Sequence, residues 1–121
     1  MKKVLIVDDR HEVRELVEVT LRGKNYRILE ASNAEEAIEM VRAEKPDLTL
    51  MDIMMPGGMD GLEATRILKS DPKTRDCPIV MLTAKGQKTD IEKGLEAGAE
   101  DYFVKPFSPL DLINKVEEIL K

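Results

Sequence analysis

Short apolar runs alternate with longer amphipathic stretches along the whole chain. Val4-Leu5-Ile6-Val7 is continuous and β-rich, the pattern of a strand buried on both faces as in a parallel sheet. It stops at Asp8-Asp9. From Arg10 to Arg22 the residues Val13, Leu16, Val17, Thr20 and Leu21 recur at helical spacing, and Gly23 follows where a C-terminal cap sits. The unit then returns: Tyr26 to Leu29 as a strand, Ala34 to Ala43 as a helix with Pro46 beyond it, and Leu48 to Met51 as a third strand ending on Asp52. A Pro-Gly-Gly loop at 56 to 58 precedes a helix from Gly61 to Lys69. Pro78 introduces the strand Ile79 to Leu82, and a helix over Thr89 to Ala97, a strand at Tyr102 to Val104 and a helix from Pro109 to Leu120 complete five βα units.

Strict alternation of buried strands with helices predicts an α/β, doubly wound fold. Right-handed crossovers must cover a five-stranded parallel sheet on both faces. At 121 residues one domain, 1–121, is expected, with no output segment inside it. Hydrophobic residues at 42% and charged ones at 36% are ordinary for a globular chain. The net charge of -5 disfavours direct nucleic-acid binding, which draws on clustered Lys and Arg. The first apolar run is too short for a signal peptide or a membrane span, so a cytoplasmic protein with no membrane partner is expected. The lone Cys77 allows no internal disulfide, and it reads as an inert thiol in a turn.

In such a sheet the carboxyl ends of the strands share one edge, where ligands bind. Here those ends carry Asp8-Asp9, Asp52, Thr83-Ala84 and Lys105-Pro106. Carboxylates on neighbouring strands, whose backbones lie about 5 Å apart, repel one another unless a cation lies between them. An oxygen-only donor set with open positions suits Mg²⁺ (or Mn²⁺), which commonly bridges a carboxylate to a phosphate. Lys105 supplies a point charge for phosphate and Thr83 a hydroxyl donor. These parts match phosphoryl transfer onto an Asp nucleophile.

The set Val7-Asp8-Asp9, Asp52-Ile53-Met54-Met55-Pro56, Met59-Asp60-Gly61, Leu82-Thr83-Ala84 and Val104-Lys105-Pro106-Phe107 resembles the receiver family of two-component response regulators over essentially the whole chain. The resemblance implies the flavodoxin-like strand order 2-1-3-4-5. It implies Asp52 as phosphoacceptor, and Asp8, Asp9, Asp52 and the Met54 backbone carbonyl as metal ligands. Thr83, the Ala84 backbone and Lys105 are the implied phosphate-binding groups, Thr83 and Tyr102 the switch pair, and Lys105-Pro106 a cis peptide. The implied donor is a sensor histidine kinase or a phosphotransfer protein. The implied output is a protein target on the face of the fourth helix, fifth strand and fifth helix. Two departures stand out. The loop around Gly57-Gly58 has one residue more than the commonest pattern, and Ile91 and Glu117 replace the charges that winged-helix-type receivers use for dimer ion pairs.

Blander readings compete. Asp9-Arg10-His11-Glu12 reads as a capping box, which would make Asp9 only an N-cap. His11 reads as a solvated side chain, Met55 as a core or loop filler, Tyr102 as a half-buried strand aromatic, and Gly86-Gln87-Lys88-Thr89 as a loop into the fourth helix. The alternative class is an aspartyl-phosphate phosphohydrolase of the haloacid-dehalogenase type. That chemistry wants a second Asp two residues after the nucleophile, where this chain has Met54.

Overall fold

The computed structural model describes residues 1–84 and 88–121. Its elements are β1 (Lys2–Val7), α1 (His11–Leu21), β2 (Tyr26–Ala31), α2 (Ala34–Glu44), β3 (Leu48–Asp52), α3 (Gly61–Ser70), β4 (Ile79–Ala84), α4 (Lys88–Glu96), β5 (Asp101–Lys105) and α5 (Pro109–Leu120). The five strands form one sheet in the order β2-β1-β3-β4-β5, and every neighbouring pair is parallel.

Because side chains alternate across a strand, the apolar runs feed two cores at once. Leu5, Val7, Met51 and Met81 pack with Ala37, Val41, Leu62 and Leu68 of α2 and α3. Val4, Ile6, Leu50 and Leu82 pack on the other side with Val17, Leu21, Leu112 and Val116 of α1 and α5. β3 is buried along its whole length, whereas the edge strands β2 and β5 are only partly covered. The strands also run further than the apolar pattern implied. Lys2 and Lys3 pair with Tyr26 and Arg27, since the hydrogen-bonded ladder continues where burial has ended.

Helix ends follow local chemistry. Asn33, Asp60 and Ser108 cap α2, α3 and α5 through their side chains. Gly23, with φ +85°, closes α1, and Lys45 takes the left-handed conformation after α2, just before Pro46. The capping box at Asp9 is not formed. Arg10 is the N-cap residue of α1 and caps with no side-chain bond, while the Arg10 amide donates to Asp8 Oδ1 at 2.9 Å. The capping reading therefore does not account for Asp9. The reading of 86 to 89 as a loop falls partly outside the described residues, and Lys88 and Thr89 already belong to α4. α4 lies close on the sheet through Gly94, where an added Cβ would come within 3.0 Å of Met81 Cγ. Cys77 is half-buried and lies 3.4 Å from the Thr49 hydroxyl; burial pushes its thiol pKa up, consistent with low reactivity.

Candidate functional site

The carboxyl ends of β1, β3, β4 and β5 meet because the parallel registers align them. Val7 pairs with Met51, Asp52 with Leu82, and Ala84 with Lys105. One carboxylate oxygen from each of Asp8, Asp9 and Asp52 lies within 4.8 Å of the other two. Asp8 and Asp52 are buried and Asp9 is exposed, so the cluster opens to solvent on one side. Lys105 Nζ reaches across it, 2.6 Å from Asp8 Oδ2 and 3.2 Å from Asp52 Oδ1.

Asp8 is held at every polar atom apart from its outward lone pairs. Its amide donates to Ala31 O at 3.1 Å, its carboxylate accepts from the Arg10 amide and from Lys105, and its carbonyl accepts from Arg14 Nη1 at 2.7 Å. Asp52 is differently placed. Burial, followed by repulsion from Asp8, pushes its carboxyl up to about 6, with Lys105 acting in the opposite direction. One lysine is thus too little positive charge for three carboxylates. The donor set is all hard oxygen and partly open, so these residues fit a divalent cation of the Mg²⁺ type.

The loop after β3 is drawn tightly against the acceptor strand. The Gly61 amide donates to Ile53 O at 2.9 Å, and a Cβ on Gly61 would fall 2.0 Å from the Asp52 carbonyl oxygen. Gly61→Ala must therefore move the Asp52 backbone or the start of α3. We expect a loss of about 3 kcal/mol, read as a lower urea midpoint. The loop's extra residue is taken up outward: Gly57 has φ +109°, and a Cβ at Gly57 or Gly58 would touch nothing within 4 Å among the described residues. Met54 is exposed at the mouth of the site, whereas Met55 is buried in the core as a filler.

Thr83 is fully buried, its hydroxyl 3.4 Å from Ala84 O, while Tyr102 is 38% exposed. Tyr102 pairs with Met81, which puts it on the same sheet face as Thr83. The Lys105-Pro106 peptide is cis. His11 is exposed and pairs with Glu15. Arg10 and Arg14 escaped the sequence reading. Arg14 had a signal, a cation on the apolar stripe of a helix. Arg10 had none, because it acts through its backbone amide. A cleft of about 300 Å³ beside the site is lined by Arg10, Val13, Leu16, Lys105 and Phe107.

A doubly wound sheet whose switch-point edge carries three acidic side chains and a lysine defines a class of phosphate-handling α/β domains. The comparisons narrow it. Residues 4–117 match the family model of the response regulator receiver domain, and the chain belongs to that family, the phosphorylation-switch domain of two-component signalling. It is 46% identical over 120 residues to the phosphate regulon transcriptional regulatory protein PhoB of Pseudomonas aeruginosa, covering 99% of this chain and 52% of that protein. It is 44% identical over 119 residues to the transcriptional regulatory protein ResD of Bacillus subtilis, covering 98% and 48%. The chain thus spans about half the length of the curated relatives it matches. Among solved structures, the chemotaxis response regulator CheY4 of Vibrio cholerae superposes with a TM-score of 0.90 at 31% identity, covering 99% of each chain. The receiver domain of NtrX from Brucella abortus gives 0.89 at 29% identity, covering 97% of each.

These findings do not support the phosphohydrolase alternative. The expectation of no nucleic-acid contact is also narrowed. The DNA-binding response regulator MtrA of Mycobacterium leprae is 39% identical over 99% of this chain, yet this chain covers 52% of it. The expectation holds at most for the 121 residues in hand. Among the described residues no helix is long and apolar enough to cross a membrane.

Proposed function

We propose that Asp52 accepts a phosphoryl group from the phosphohistidine of a sensor histidine kinase or a phosphotransfer protein. The observation that carries this reading is the convergence of Asp8, Asp9 and Asp52 within 4.8 Å, with Lys105 bridging Asp8 and Asp52. A carboxylate oxygen of Asp52 forms the new bond to phosphorus as the bond to the donor imidazole nitrogen breaks. The nitrogen keeps the electron pair and takes up a proton.

Asp8, Asp9, Asp52 and the Met54 carbonyl hold Mg²⁺ or Mn²⁺. When bound, the cation offsets the repulsion between the acceptor carboxylate and the phosphoryl oxygens. Lys105 gives up its pairing with Asp8 and Asp52 to meet the phosphoryl group, joined by the Thr83 hydroxyl and the Ala84 backbone. The chain promotes only its own phosphorylation and dephosphorylation, and turns over no separate substrate. The 121 residues form one receiver unit, which works in the cytoplasm.

Output runs to a protein target through the face of α4, β5 and α5. The phosphate draws the Thr83 hydroxyl toward it, and Tyr102 follows on the same sheet face. A few kcal/mol between two arrangements suffices, since a minor state at roughly 0.1 to 10% can be made dominant by a group that favours it. Beryllofluoride with Mg²⁺ is therefore expected to shift the backbone resonances of Thr83, Tyr102 and α4 as well as the Asp52 pocket. Changes confined to the pocket would exclude this route.

A further inference from the structure

Arg14 is out of place by pattern. It lies on the stripe of α1 that carries Val17 and Leu21, both essentially buried, where an apolar residue is expected. Its side chain is only 16% exposed. A guanidinium so placed costs free energy unless its donors are met. Two of its five N–H donors have protein partners: Nε donates to Glu30 Oε1 of β2 at 3.0 Å, and Nη1 donates to the Asp8 carbonyl at 2.7 Å.

The second bond matters for the site, because the Asp8 carbonyl belongs to the peptide that joins Asp8 to Asp9. Holding that oxygen fixes the peptide plane, and the plane sets the direction in which the Asp9 side chain leaves the backbone. Asp8 itself has other anchors, in Ala31 O, the Arg10 amide and Lys105. Asp9 is the exposed member of the cluster and depends most on the backbone beneath it. Glu30 stands opposite Ile6 in the β1–β2 register, so its carboxylate is delivered by the sheet and orients the guanidinium from outside.

We infer that Arg14 is a positioning residue for the cation site, aiming Asp9 through the Asp8-Asp9 peptide, with Glu30 as its orienter. This rests on the reading of the acidic cluster as a cation site. A plain strap between α1 and β2 would make the same two bonds, but it would affect only stability. A positioning residue changes cation affinity in protein that is still folded.

The test uses the 121-residue chain with MgCl₂ as probe, following the amide resonances of Asp9 and Arg10, together with their hydrogen exchange in cation-free buffer. Arg14→Met keeps the aliphatic stem and removes the donors. Its Mg²⁺ midpoint is expected to rise about tenfold, the lower end for loss of an outer-shell partner, with faster exchange at Asp9 and Arg10. Arg14→Lys should recover part of the affinity. Glu30→Gln should weaken binding less, and the double variant should be no weaker than Arg14→Met alone, because Glu30 acts through Arg14. An unchanged midpoint in folded Arg14→Met overturns the inference. If Arg14→Met fails to fold, the half-exposed Glu30→Gln carries the test, and unchanged midpoint and exchange there overturn it. Asp9→Ala separates the underlying reading: if Mg²⁺ binds it as it binds the unaltered chain, the cation site itself is wrong, whereas loss of binding in Asp9→Ala with no effect in the Arg14 and Glu30 variants refutes the positioning role alone.

Discussion

Asp52→Asn is expected to abolish labelling by a small phosphodonor such as acetyl phosphate, with intact-mass analysis showing no phosphorylated species under conditions that label the unaltered chain. Asn keeps the shape of the side chain but lacks the anionic oxygen that forms the acyl phosphate. The fold should survive, because the change removes a buried charge whose ionised form the surroundings disfavour. The Asp52 carboxyl is pushed up to about 6, first by burial and then by Asp8. Asp8 and Asp9 are carboxylates in the same pocket, so a residual phosphorylated species in Asp52→Asn would move the acceptor to one of them.

Much of this arrangement was legible in the sequence because parallel sheets write a simple code. The buried stretches of β1 and β4 appear as unbroken apolar runs, and β3, buried throughout, as one interrupted only by Thr49. The polar residue ending each run marks the edge where a ligand binds. Asp8, Asp52, Thr83 and Lys105 could therefore be assigned to one edge from their positions alone. The edge strands were harder. β2 and β5 are only partly covered, and Tyr26 to Leu29 and Tyr102 to Val104 understated strands that run on to Ala31 and Lys105.

The contacts that refine the site were less visible, because they depend on direction as well as order. The Asp9 capping box failed since the chain enters α1 through Arg10, which stands at the N-cap position with no side-chain bond, while the Arg10 amide donates back to Asp8. Periodicity counts positions and carries no information on which oxygen faces which amide. Gly61 is a similar case. The residue is plain in the sequence, but its requirement comes from a carbonyl 2.0 Å from where a Cβ would lie, nine residues earlier in the chain. Lys105 reaches Asp8, 97 residues earlier, although the strand order 2-1-3-4-5 places β3 and β4 between their strands, so order alone does not disclose the contact.

Removing divalent cations is expected to stop phosphorylation of Asp52, with a rate at least about 100-fold lower in excess chelator, since neutralising charge at such a centre contributes several kcal/mol. Asp9→Ala in ordinary Mg²⁺ should behave in the same direction. The cation requirement should also register in stability, with a pH dependence whose sign is fixed by Asp52. Its folded-state value of about 6 lies above the ordinary value of 3.8, so the cost of holding it ionised is fully present above pH 6 and absent below about pH 4. Through this group, cation-free protein loses stability as pH rises from 4 to 6, by on the order of 2 kcal/mol. Mg²⁺ opposes that loss by binding the ionised cluster, and at about 100 times its dissociation constant it adds about 2.7 kcal/mol. Below pH 6 the proton and the cation compete for Asp52, so the rise in melting temperature caused by a fixed Mg²⁺ concentration should be large at pH 7.5 and small at pH 5. Thermal melts at both pH values, with Mg²⁺ and with chelator, read this directly. Undiminished labelling in chelator, or an equal Mg²⁺ effect at the two pH values, would remove the cation from the acidic cluster.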